Sequence, residues 1–204
     1  MIRPVPVEVG SPRMPVESSR RSRRAFIWTA TGLALAVVAA TFALCHDVFA
    51  WAVAATRNTA RFSGLVLAAA LVARSPRPVA LSRWRTELTL AFVAAHGVHY
   101  AFVVLRALVE PSSKLRSFSW EVDLVILAGV LLLAVVAATA RATSEVGRRT
   151  NAVAFYIAWT VLTLGSASHA RGHLASAAVL GVLITAMAWR IGSRIAEGRV
   201  APSV

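Results

Sequence analysis

The stretch Leu124-Val125-Ile126-Leu127-Ala128-Gly129-Val130-Leu131-Leu132-Leu133-Ala134-Val135-Val136-Ala137-Ala138-Thr139-Ala140 runs 17 residues without a charge. Wound as a helix it is apolar on every side. Such a helix is either buried in the core of a large protein or exposed to lipid. The rest of the chain decides between the two. It has 204 residues, 57% of them hydrophobic and 15% charged, too little polar surface to enclose this helix in a soluble shell.

Working outward, charged residues bound five more uncharged runs: Ala25 to Cys45, Phe62 to Ala73, Leu88 to Leu105, Thr150 to Ala170 and Leu174 to Trp189. Crossing a hydrocarbon core of about 30 Å takes roughly 20 helical residues, so the shorter runs need arginines that snorkel at their ends. The shortest, Phe62 to Ala73, spans if Arg61 reaches one interface and Arg74 the other, with Asn58 to Ala60 adding a turn. The expected architecture is therefore an all-α integral membrane bundle of about six transmembrane helices over residues 25–192. A disordered basic tail, residues 1–24, precedes it and a short tail, residues 193–204, follows. Ala25 to Cys45 is too long for a signal-peptide core and reads as an uncleaved first span.

The net charge of +13 would point to nucleic acid in a soluble protein. Here it reports orientation. With both termini on one side, that side carries 16 Lys and Arg residues and the other carries 6, which puts both termini in the cytoplasm and the chain in the cytoplasmic membrane. Trp28, Trp84, Trp120 and Trp189 fall near span ends, where interfacial tryptophans anchor a bundle. The expected partners are the lipid bilayer and no nucleic acid.

Several chemistries are excluded early. Cys45 is the single cysteine, so there is no intramolecular disulfide and no paired-thiol redox or zinc centre. Neither GxGxxG nor GxxxxGK[ST] occurs, so no flavin or nicotinamide domain is expected. All nine acids lie in tails, loops or span ends, which leaves no carboxylate pair for hydrolysis.

The five histidines are the informative residues. His46, His96, His99, His169 and His173 all lie within the third span, within the fifth, or at span ends. An imidazole in hydrocarbon costs free energy unless it is hydrogen-bonded or ligated, so these mark a functional site. His96 and His99, three residues apart, can face one cavity. Gly97 between them suits either a flat ligand lying on the backbone or close helix packing. His169 and His173 share a face only if the fifth helix continues through Gly172. His46 and His173 read equally as solvated or capping residues. Helix depth matches His99 to His169 better than His96. Neutral imidazoles from two helices are a common way to hold haem iron, with Ser166, Ser168 and Tyr100 available to orient the rings. A multi-histidine non-haem metal site and histidines bonded only for packing are the alternatives.

Residues 57 to 170 resemble the ferric reductase-like transmembrane domain family, in its short bacterial branch of haem-binding membrane subunits of periplasmic methionine sulfoxide reductase systems. The matching elements are Arg61-Phe62-Ser63-Gly64 before the second span, Arg74-Ser75-Pro76 after it, and Arg83 ahead of His96-Gly97-Val98-His99-Tyr100. The fifth span follows Val146-Gly147-Arg148-Arg149 and ends at His169. The resemblance implies a b-type haem held by His96 and His169 as axial ligands, with His99 and His173 as alternative or additional ligands. It implies transfer of electrons to an outer-side acceptor as the haem component of an oxidoreductase, supplied by a separate redox partner protein or a quinol. The family's inner histidine, thirteen residues before the outer one, is here Tyr156, so one haem is expected rather than two. A cofactor-free membrane scaffold related to that family is the alternative the missing ligand favours.

Overall fold

The computed structural model describes residues 16–75, 79–109, 120–170 and 173–200. These are all-helical, in seven elements: α1 (Val16–Ala43), α2 (Val48–Ala73), the single turn α3 (Val79–Ser82), α4 (Arg85–Val109), α5 (Trp120–Thr139), α6 (Glu145–Ala170) and α7 (Leu174–Val200). The six long helices match the six expected runs, except that Leu44 and Cys45 lie beyond the end of α1 and Ala140 beyond the end of α5. Three of them, over Arg24–Ala43, Arg85–Val109 and Leu174–Glu197, are long and apolar enough to cross a membrane, and Ile126–Thr139 is a shorter apolar segment.

Most helix starts, and the ends of α4 and α7, run past the charges that bound the uncharged stretches. α2 begins at Val48, where the Asp47 carboxylate accepts the Ala50 amide at 2.7 Å and caps the first turn. It therefore contains Arg57 and Arg61 rather than starting after them. Arginine has high helix propensity, and a long side chain lets the charge leave the apolar zone while the backbone continues. For the same reason the helix of α1 already includes residues 16–24, within the segment expected to be a tail, and α7 continues through residues 193–200. Residues 1–15 and 201–204 lie outside the described residues.

Successive long helices reverse direction and close a ring. α2 packs on α4, α4 on α5, α5 on α6, α6 on α7 and α7 back on α2, while α1 lies outside against α2 and α4. The interior of the ring holds Leu67, Leu71, Phe92, Val136, Phe155 and Leu183, all essentially fully buried. α2 and α7 cross closely at Gly64, where a methyl group would come within 2.9 Å of Val179 Cγ1. The outside is apolar: Leu33, Leu35, Leu127, Leu131, Val161, Leu164 and Ile184 are exposed. Apolar surface all around a helical bundle is what contact with a lipid bilayer requires, since water there would impose a cost on each side chain.

One end of the ring is tied by a buried polar network. Arg74, the C-cap of α2, donates from Nη2 to Thr89 Oγ1 of α4 at 3.2 Å and to Asn151 Oδ1 of α6, with its guanidinium 3.9 Å above the Phe155 ring. Asn151 then donates to Val136 O at 2.9 Å and Thr139 Oγ1 at 3.0 Å on α5. Four helices are thus joined through two side chains at what we call the arginine end. The opposite end carries the histidines.

A candidate histidine site between two cavities

Buried polar groups in an apolar bundle are held by hydrogen bonds, and α2 supplies them for both histidines of α4. Thr56, Thr59 and Ser63 follow one another at helical spacing and form a small polar stripe facing α4. The His96 ring is 8% exposed, and its Nδ1 lies 2.9 Å from Ser63 Oγ. His99 Nδ1 lies 3.0 Å from the Thr56 carbonyl and 3.4 Å from Thr59 Oγ1.

The Thr56 contact fixes a tautomer. A carbonyl oxygen only accepts, so His99 Nδ1 carries the proton and donates, leaving the Nε2 lone pair of a neutral ring uncommitted. Ser63 Oγ also donates to Ala60 O at 2.9 Å. With its one proton so used, the serine accepts from His96 Nδ1, which gives His96 the same tautomer. The rings sit close, with centroids 5.0 Å apart, and Tyr100 lies edge-on to His96 at 4.9 Å. Phe92 stacks beneath His96 at 5.5 Å and meets Phe155 of α6 at 5.9 Å.

Each histidine borders its own cavity. His96 and Tyr100 line an apolar cavity of about 330 Å³ closed by Leu132 and Leu133 of α5 and by Val161 and Leu162 of α6. Gly129 of α5 faces it, and a methyl group there would collide with the Tyr100 hydroxyl. His99 lines a polar cavity of about 380 Å³ together with Arg57, Arg61, Arg106, Ser166, His173 and Ser176. Arg61 is braced across it, donating to Asn58 Oδ1 at 3.1 Å and to Ser176 Oγ at 3.2 Å. Both volumes fall within the roughly 300–1,000 Å³ of small-molecule sites.

Of the four expected ligands, the structure brings His96 and His99 side by side and places His99 and His173 on the walls of one cavity. His173 is not helical and stands just before α7, so it does not share a helical face with His169; Arg171 and Gly172 lie outside the described residues. His173 is exposed, and its carbonyl accepts the Ser176 and Ala177 amides at the start of α7. His169 stands in the last turn of α6; its side chain lies outside the described residues. Its register follows Ser166 by three positions and Leu162 by seven. Gly97 faces outward, with nothing within 4 Å of a methyl group placed on it, so it does not serve a close helix crossing. Ser168 bonds its own helix, to Gly165 O at 2.8 Å. His46 is exposed beside the Asp47 cap.

Among the described residues, no three His, Cys, Asp or Glu side chains come together as a metal site. The orienting partners on α2 were not anticipated, although the spacing of Thr56, Thr59 and Ser63 is their signature in the sequence. No family model, curated protein or solved structure matches the chain.

Proposed function

We propose that the chain is a six-span membrane protein of the cytoplasmic membrane, with both termini inside, that holds one b-type haem near its histidine end and passes electrons toward an outer-side acceptor. The observation that carries this is the His99 Nδ1–H bond to the Thr56 carbonyl at 3.0 Å. A second bond of this kind fixes the ring and presents a basic Nε2, which is how metal-bound imidazoles are held.

The residues present suit the group. A porphyrin on His99 would lie in the polar cavity, where Arg57, Arg61 and Arg106 would meet its carboxylates. Bound haem supplies one-electron chemistry at iron.

The levels of the two cavities support His99 rather than His96 as the partner of His169. His99 shares its cavity with Gly165 and Ser166, one turn before His169 on α6, whereas His96 shares its own with Ala158, Val161 and Leu162. At 1.5 Å rise per residue, His169 stands about 4 Å beyond the first level and about 10 Å or more beyond the second. His96 then orients the site through its contacts with His99 and Tyr100. The electron donor, a quinol or a separate flavoprotein, comes from outside this chain.

Haem content tests the proposal. The full chain, purified in detergent after expression with ample haem precursor, is expected to carry one haem per polypeptide by pyridine haemochrome assay, and His99→Ala to carry less than a tenth of that. A folded wild-type chain without haem would overturn it.

A further inference from the structure

The arginine end holds an open-sided cavity of about 670 Å³ that the haem proposal does not use. Its walls include Arg74, Ser75, Ser82, Arg85, Arg194 and Glu197, drawn from the C-terminus of α2, the turn before α4, the start of α4 and the last turns of α7. Three arginines and one glutamate thus border it. Glu87, buried in the same turn of α4 as Arg85, does not line it.

The positive charge extends behind the wall. Arg74 lies within electrostatic reach of Arg85 and Arg190, and Arg85 within reach of Arg190, Arg148 and Arg194. Arg190 is 4% exposed and donates from Nε to the Tyr156 hydroxyl at 2.6 Å. That hydroxyl is neutral, so it satisfies one hydrogen bond and cancels none of the charge. Among the described residues Arg74 is likewise bonded only to neutral partners, Thr89 and Asn151, through a single nitrogen. Buried Arg74 Nε and Arg190 Nη1 find no acceptor among the described residues, and Arg190 stands behind the cavity wall. Concentrated positive charge at a bundle end costs free energy, and a multivalent oxoanion in the cavity offsets it.

We propose that this cavity binds a phosphate oxoanion, held by Arg74, Arg85 and Arg194. The planar fork of each guanidinium matches tetrahedral phosphate oxygens, and several forks around one open cavity suit a ligand with three or four of them. Ser75 and Ser82 border the same space. The phosphate belongs to an anionic lipid headgroup or to a free phosphate compound, and the chemistry that recognises it is the same. The site is separate from the histidines, so it stands whether or not haem binds.

The experiment uses the full chain in phosphatidylcholine nanodiscs, unfolded thermally. One arm adds inorganic phosphate against chloride at matched ionic strength; the other replaces part of the phosphatidylcholine with phosphatidylglycerol. A rise in the unfolding midpoint in the first arm identifies a free phosphate, and a rise confined to the second identifies a headgroup. In either case Arg85→Gln and Arg194→Gln, tested singly, are expected to raise the half-saturating amount about tenfold, the loss of one charge-assisted contact. Arg194 is exposed, so its substitution leaves the core intact. No rise in either arm, or an unchanged response in both variants, would overturn the proposal.

Discussion

Ser63→Ala removes the hydroxyl that orients His96 and nothing else of consequence. Ser63 is fully buried, His96 nearly so, and their 2.9 Å contact joins α2 to α4 inside the ring. The mutation leaves His96 Nδ1 without a partner in an apolar interior. For soluble proteins an orphaned buried group costs about 1–3 kcal/mol. Between membrane helices measured couplings are smaller, averaging about 0.6 and reaching about 1.7 kcal/mol, because the unfolded chain in the membrane also finds partners. The oxygen is also small enough that the cavity left behind adds little. We therefore expect Ser63→Ala to lower the unfolding free energy by about 1 kcal/mol in mixed micelles titrated with sodium dodecyl sulfate and followed by tryptophan fluorescence. The coupling is isolated by a cycle with His96→Ala, in which the double variant recovers about 0.6–1.7 kcal/mol relative to the sum of the singles. Full additivity would refute the hydrogen bond as the element that positions His96.

Other substitutions probe other parts of the ring. Gly129→Ala forces the Tyr100 hydroxyl out of its place and should destabilise the bundle by about 1–3 kcal/mol, as overpacking does; in a Tyr100→Ala background the same change should be nearly neutral in the same titration. Asn151→Leu removes one of the two acceptors of the Arg74 guanidinium and breaks the links to Val136 and Thr139, an expected loss of about 2–3 kcal/mol read as a lower detergent midpoint. At the start of α6, hydrogen bonds from Arg148 and Arg149 hold the Glu145 carboxyl below its usual range. Its folded value being the lower one, the contribution to stability is present above the ordinary carboxyl range near 4.3 and fades as pH falls through the depressed value. Glu145→Gln should flatten that part of the pH profile and lower neutral-pH stability by the same amount, a small one since the pair is exposed.

Much of this arrangement was legible in the residues, and the failures share a cause. Uncharged runs marked the six long helices, three of which are long and apolar enough to cross a membrane. The same rule misplaced the start of α2, since an arginine on a helix can carry its charge away from the apolar zone while the backbone continues. The histidines stood out as costly residues in apolar sequence. Their partners did not, because Thr56, Thr59 and Ser63 are small and neutral and bond their own helix as readily as a neighbour. Gly97 attracted attention by adjacency, but its side of α4 faces outward. Gly129, on another helix, proved to be the glycine that makes room beside the site. The arginine-end network was hidden because Asn151 lies more than seventy residues from Arg74, and only the fold brings them together.

The central claim is that His99, oriented by Thr56, holds iron with His169. It is tested most directly by the dithionite-reduced minus oxidised visible spectrum of the purified chain beside its His96→Ala, His99→Ala and His169→Ala variants. The account predicts sharp b-type bands that vanish in His99→Ala and His169→Ala and persist, shifted or weakened, in His96→Ala. Bands that survive His99→Ala, or a well-folded wild-type chain that shows none, would contradict it.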